Sequence, residues 1–164
     1  MPMRLEGSCR CGAVSFGVAS HTPQPYQLCY CTICRKTAGG GGYAINLGAL
    51  QDSLEIRGKS AIGVFRAEIA EDDGRCRTST GERNFCQACG TALWLFDPTW
   101  PDLVHPFASA IDSKLPTPPE RVHLMLRFKA PWVQPAAGPR DKLFDVYPEE
   151  SLEEWHRSRG LWVD

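Results

Sequence analysis

Short stretches of alternating apolar and polar residues run along the chain, and this alternation predicts β-strands. Within residues 13–18, Val14, Phe16 and Val18 fall on one face of an extended segment. Residues 122–128 repeat the same pattern. Both segments are therefore predicted as half-buried strands.

Turn residues separate these segments and predict where strands pair. Residues 62–69 are followed by the turn sequence at 72–74, so they are predicted as the first arm of a hairpin. Residues 91–96 and 103–111 are further strand candidates. Pro106 lies within the last of these and confines it to a sheet edge or a bulge, because proline has no backbone N–H.

One short helix is predicted near the C-terminus. Ser151 and Glu154 have the spacing of a capping box, and Gly160 gives the stop signal. Residues 130–142 are rich in Pro, Ala and Gly and are predicted as a connecting loop. The expected architecture is all-β with a short C-terminal helix, in one domain that spans residues 1–164.

Composition and charge narrow the function classes. The 164 residues are 43% hydrophobic, enough to build a core, and the net charge is −1. No global positive field is available to attract nucleic acid or an anionic membrane, so neither is an expected partner. The first residues bring charge without the apolar run of a signal peptide, which favours a cytoplasmic protein. In that reducing compartment, clustered thiols are expected to be metal ligands or nucleophiles rather than disulfides.

Four of the eight cysteines form two close pairs that lie far apart in the sequence. Cys9 and Cys11 precede Gly12, and Cys86 and Cys89 precede Gly90. A glycine after a cysteine pair lets the backbone turn tightly beneath two thiolates. Together the pairs predict a closed four-thiolate zinc site that joins the first strand to a late one.

A third group offers three thiolates, from Cys29, Cys31 and Cys34. Three protein ligands with an open fourth position are typical of catalytic zinc. Arg35 and Lys36 follow directly and are predicted to offset the thiolate charge or to hold an anionic substrate. Up to two Zn²⁺ ions per chain are therefore expected, one at each cluster.

Other interpretations of the cysteines remain open at this point. The Cys-x-x-Cys pair could be a redox pair, although no βαβ setting accompanies it. The second metal could be purely structural, with Cys76, His21, His105 or His123 as its fourth ligand. The chain would then be a non-catalytic, zinc-stabilised binding module. Tyr30 lies beside two of these cysteines and is a candidate proton donor for a reaction at the open site, although a role in packing is favoured.

Three motifs in order identify a resemblance. They are residues 7–14, residues 29–35 and residues 84–90, and together they resemble the glutathione-dependent formaldehyde-activating enzyme family. The similarity covers a core of about residues 7–132, followed by a C-terminal extension over 133–164.

The resemblance implies an all-β fold of the Mss4-like type. It implies a structural zinc on Cys9, Cys11, Cys86 and Cys89 and a second zinc on Cys29, Cys31 and Cys34. The implied reaction is the addition of glutathione to formaldehyde, which gives S-(hydroxymethyl)glutathione and belongs to the carbon–sulfur lyase class. The oligomeric state is not implied.

Overall fold

The computed structural model describes all 164 residues and consists of short strands with two short α-helices. The strands are β1 (Met3–Ser8), β2 (Ser15–Ser20), β3 (Gln27–Cys29), β4 (Ala44–Ile45), β5 (Ala49–Leu50), β6 (Glu55–Arg57), β7 (Ile62–Phe65), β8 (Glu68–Ala70), β9 (Cys76–Thr78), β10 (Glu82–Cys86), β11 (Ala92–Phe96), β12 (Leu103–Pro106), β13 (Val122–Leu124) and β14 (Lys142–Leu143). The helices are α1 (Thr32–Thr37) and α2 (Leu152–Ser158). Neither has the length and apolar character that a membrane span requires.

The strands form three sheets and one separate hairpin. The sheets have the strand orders β1-β2-β6, β5-β12-β11-β10-β7 and β14-β13-β3-β4, and the hairpin pairs β8 with β9. All pairings are antiparallel except the two that β13 makes, with β3 and with β14. The predicted all-β class with a short C-terminal helix is confirmed.

The main core contains residues of the first two sheets. The predicted apolar face of residues 13–18 is buried, with Val14 and Val18 at 0% exposure. Phe16 packs edge-on against Trp94 of β11, with ring centroids 5.0 Å apart. The alternation therefore identified the correct face, although the strand itself begins only at Ser15.

A second core packs the C-terminal helix onto the rest of the chain. The predicted capping box is present, since Ser151 Oγ accepts a hydrogen bond from the Glu154 backbone N–H and Glu154 accepts one from that of Ser151. Trp155 is 1% exposed and stacks on Tyr26, which lies just before β3. The C-terminal extension thus contacts the segment that leads into the three-cysteine motif.

Three strand predictions need correction. Residues 122–128 are not one strand, because Met125 has a left-handed backbone (φ 60°) and a 3₁₀ helix, Leu126–Phe128, follows. Residues 62–69 are split between β7, which pairs with β10, and β8, which forms the predicted hairpin with β9. Strand β12 is shorter than predicted and lies inside its sheet instead of at an edge. Pro106 is its last residue, so its missing N–H does not interrupt the hydrogen bonds in the middle of the strand.

Candidate metal centres

Two hairpin turns bring the four outer cysteines together. Cys9 and Cys11 lie in the turn between β1 and β2, and Cys86 and Cys89 lie at the turn between β10 and β11. The four Sγ atoms all lie within 4.8 Å of one another. Each turn closes through the predicted glycine, since Gly12 and Gly90 have φ of 81° and 77°, which a side chain would strain.

The spacing of these sulfur atoms fits a tetrahedral ion. The Sγ atoms of Cys9 and Cys11 are 3.6 Å apart, and those of Cys11 and Cys86 are 3.8 Å apart. Two thiolates bound to one zinc at about 2.3 Å, at the tetrahedral angle, would be about 3.8 Å apart. The Val14 backbone N–H donates to Cys9 Sγ (3.2 Å), which orients that sulfur. This four-thiol cluster therefore has the donor set and the spacing of a closed metal site.

Hydrogen bonding also favours the ionised form of one thiol in this cluster. The Thr91 hydroxyl lies 3.2 Å from Cys89 Sγ, and its hydrogen bond lowers the pKa of the Cys89 thiol to about 5. The thiolate is the form that binds metal. Cys89 therefore offers an ionised ligand at neutral pH.

The second cluster forms where β3 passes into α1. Cys29 ends β3, Cys31 is the residue that caps α1, and Cys34 lies in its first turn. Their Sγ atoms lie within 4.8 Å of one another, so the structure brings together the three cysteines that the spacing predicted. Cys31 Sγ accepts the Cys34 backbone N–H (3.3 Å), in the role that a serine or aspartate oxygen usually takes. Sequence analysis missed α1, because cysteine is not a usual cap and the helix has only six residues.

The three thiols do not ionise independently. The neighbouring thiols of Cys29 and Cys34 favour the thiolate form of Cys31 and hold its pKa far below its ordinary value. The same contact with Cys31, together with burial, raises the pKa of Cys29. Without a cation, the cluster thus has a preferred thiolate at Cys31 and a protonated Cys29. A bound cation would let the remaining sulfurs ionise, which fits a metal site.

No fourth protein ligand completes this cluster. Cys76 is exposed on β9, within the separate hairpin. His21 and His105 are bonded to the backbone carbonyls of Val163 and Leu47. His123 pairs with other side chains, and none of these four candidates lies in the group with the three thiols. The structure therefore does not support the alternative in which one of them closes the second site, because only the three thiols come together there.

Two polar side chains that sequence analysis missed contact Cys34. Arg83 on β10 places its Nη2 3.7 Å from Cys34 Sγ and its Nη1 3.5 Å from Thr37 Oγ1 of α1. Asn46 Nδ2 lies 3.9 Å from the same sulfur. Arg83 is 49 residues from Cys34 in the sequence, and the packing of α1 against β10 brings the two side chains together. Its position just before the third motif was the available sequence signal.

Arg35 and Lys36 lie in the last turn of α1. Neither they nor Arg83 forms an ion pair with a carboxylate of the protein, whereas seven other arginines do. Arg35 Nε and Asn46 Oδ1 are two of the five buried side-chain polar atoms that have no hydrogen-bond partner. The cluster is therefore flanked by positive charge and polar groups whose partners the folded chain does not supply.

Tyr30 points away from the thiols. Its side chain lies in a buried chain of hydrogen bonds, with its hydroxyl 2.9 Å from His123 Nδ1 and His123 Nε2 3.2 Å from Asp141 Oδ2. Asp141 is held in turn by the backbone N–H groups of Arg121 and Gly138. Burial raises the pKa of Tyr30 to about 12. Tyr30 therefore anchors the segment between Cys29 and Cys31 instead of facing the site as a proton donor.

Comparison with known proteins adds the family. Residues 4–125 match the family described as "Glutathione-dependent formaldehyde-activating enzyme". The chain belongs to this family. A protein of Halomonas elongata named "Putative glutathione-dependent formaldehyde-activating enzyme" is 58% identical over 159 residues, which cover 97% of this chain and 98% of the relative. The resemblance inferred from the three cysteine motifs is thus confirmed.

A solved structure supports the fold. A crystal structure of a Rhodobacter sphaeroides protein matches with a TM-score of 0.51 at 22% identity. The match covers 68% of this chain and 91% of the other. At that identity it supports the arrangement of strands and carries no information about the reaction.

Proposed function

We propose that this protein catalyses the addition of glutathione to formaldehyde, giving S-(hydroxymethyl)glutathione. The sulfur of the thiol forms a bond to the carbonyl carbon, the carbonyl π bond opens, and the proton released from sulfur is balanced by one taken up at oxygen. As a reversible formation of a carbon–sulfur bond, this is lyase-type chemistry. We also propose that it takes place in the cytoplasm, where the eight free cysteines would stay reduced.

The observation that carries the proposal is the three-thiol cluster with no fourth protein ligand, in a chain of this family. We propose zinc as the ion at both clusters, held by Cys9, Cys11, Cys86 and Cys89 at the closed one and by Cys29, Cys31 and Cys34 at the open one. When bound at the open cluster, zinc would supply a positive charge that favours a thiolate over a thiol.

The surrounding residues suit an anionic thiol. Glutathione carries two carboxylates, and Arg35 and Lys36 lie one helical turn or less from Cys34 without a carboxylate partner of their own. We propose that they bind these carboxylates and thereby fix the direction from which the sulfur approaches. The guanidinium of Arg83, beside Cys34 Sγ, would hold that thiolate in place and favour negative charge at the reacting centre.

The test is the rate of hemithioacetal formation. Exchange NMR with ¹³C-formaldehyde and glutathione would measure the rate with zinc-loaded protein and without it. We expect acceleration by the wild-type chain and by Cys76→Ser, whose thiol lies outside both clusters. Cys31→Ser should return the rate to the uncatalysed value. Equal rates with wild type and Cys31→Ser would refute the proposal and favour the zinc-stabilised binding module.

A further inference from the structure

A cavity of about 350 Å³ lies beside the three-cysteine cluster. Its walls come from α1, the strands β7, β10 and β11, and the segments that follow β10 and β12. Three of its four hydrophobic lining residues are phenylalanines: Phe65, Phe85 and Phe107. We refer to it as the phenylalanine pocket.

Two polar residues connect this pocket to the cluster. Arg83 and Thr37 both line it, and Arg83 Nη2 is 3.7 Å from Cys34 Sγ. Phe107, at 1% exposure, packs in the same core cluster as Cys29 and Cys34. A substrate that reacts beside Cys34 would therefore have the phenylalanine pocket next to its carbonyl carbon.

The chemistry of the walls selects what could fill this space. Formaldehyde has only hydrogen on its carbonyl carbon and would leave the cavity empty. The amide and carboxylate groups of glutathione would lose their water against aromatic walls, with only the side chains of Arg83, Thr37 and Asn84 as polar partners. An alkyl or aryl group would instead gain from burial there.

We infer that the phenylalanine pocket binds the apolar substituent of an aldehyde, so that the enzyme also accepts alkyl and aryl aldehydes larger than formaldehyde. This inference rests on the proposed function, because it assigns a second substrate class to the same site. Phe65, at 46% exposure on the edge strand β7, forms the outer rim of the pocket. Ala92 on β11 lies inside it, where a larger side chain would occupy the space.

The first experiment compares kcat/KM for phenylacetaldehyde and for formaldehyde, each with glutathione and zinc-loaded protein. In Ala92→Leu and in Phe65→Ala, the ratio of phenylacetaldehyde to formaldehyde should fall by about tenfold or more, the amount expected when burial of one apolar group is lost. Val64→Ala is the matched control, because Val64 is exposed on the same strand but does not line the pocket. Its ratio should equal that of the wild type.

The second experiment does not depend on catalysis. Saturation-transfer NMR with 2-phenylethanol, which cannot react, should show contact of its ring protons with the wild-type protein and loss of that contact in Ala92→Leu. Ring contact without formaldehyde turnover would support the pocket and refute the proposed function. Suppose instead that the protein turns over formaldehyde, that the kcat/KM ratio of phenylacetaldehyde to formaldehyde is unchanged in both variants, and that no ring contact is seen. This result would overturn the inference and leave the proposed function standing. Phe65→Ala keeps the test valid if Ala92→Leu does not fold.

Discussion

Replacing Tyr30 by phenylalanine removes one hydroxyl from a fully buried hydrogen-bond chain and leaves the ring in place. Tyr30 and His123 are each 1% exposed, so His123 Nδ1 would lose its partner without access to water. An unsatisfied buried group costs about 1–3 kcal/mol of unfolding free energy. For a domain of this length, each kcal/mol lowers Tm by about 2–4 °C, so we expect a fall of roughly 6 °C. The loss should be local to the segment that carries Cys29 and Cys31.

Differential scanning calorimetry of zinc-loaded protein measures this fall, and Tyr26→Phe is the matched control. Tyr26 is also 1% exposed and lies four residues earlier, but its hydroxyl makes no hydrogen bond within the protein and is not among the five buried unpartnered atoms, so it reaches solvent. Its loss should lower Tm by less than about 2 °C. After mild chelation, Tyr30→Phe should also release metal from the open cluster faster than Tyr26→Phe does. Equal melting temperatures and equal release for the two variants would refute the anchoring role of Tyr30.

Three further predictions concern Cys86, Cys31 and the buried His156. Cys86→Ser should leave little folded protein, because a structural zinc contributes about 10–16 kcal/mol, comparable with the whole stability of a domain; a cooperative thermal melt like that of Cys76→Ser would contradict this. Cys31→Ser should melt cooperatively with one zinc ion instead of two by elemental analysis, and two retained ions would contradict it. Burial holds the pKa of His156 below its ordinary value, so below about pH 6.5 the unfolded chain binds a proton that the folded chain does not. Stability should therefore fall as pH drops through 6.5, and by less in His156→Gln; an equal fall in both by thermal melts would contradict this cause.

The sequence predicted the cysteine clusters because their geometry is mostly local. Each cysteine pair of the four-thiol cluster lies in a turn closed by its own glycine. The spacing and the residue types are therefore enough to predict that the two thiols of a pair lie close together. The joining of Cys9 to Cys86 also followed, because a tetrahedral site needs both pairs.

Features that depend on contacts between distant segments could not be predicted in the same way. Arg83 lies just before the third motif, but its contact with Cys34 follows only from the packing of α1 against β10. The prediction of one strand over residues 122–128 was wrong beyond Leu124. The apolar alternation continues past Met125, but the left-handed backbone of Met125 ends the strand there. The hydrogen bond from Tyr30 to His123 joins residues 93 apart and likewise follows only from the pairing of β3 with β13.

The central claim is that a substrate thiol completes the open cluster of Cys29, Cys31 and Cys34. The most direct measurement is the number of protons released when the ligand binds. Calorimetry of zinc-loaded protein in buffers of different ionisation enthalpy measures this number. Glutathione should bind with release of a proton, because a thiol must ionise to become a metal ligand. S-methylglutathione keeps both carboxylates but has no ionisable sulfur, so it should bind much more weakly and release none. Equally tight binding of S-methylglutathione, or glutathione binding without proton release, would contradict the claim.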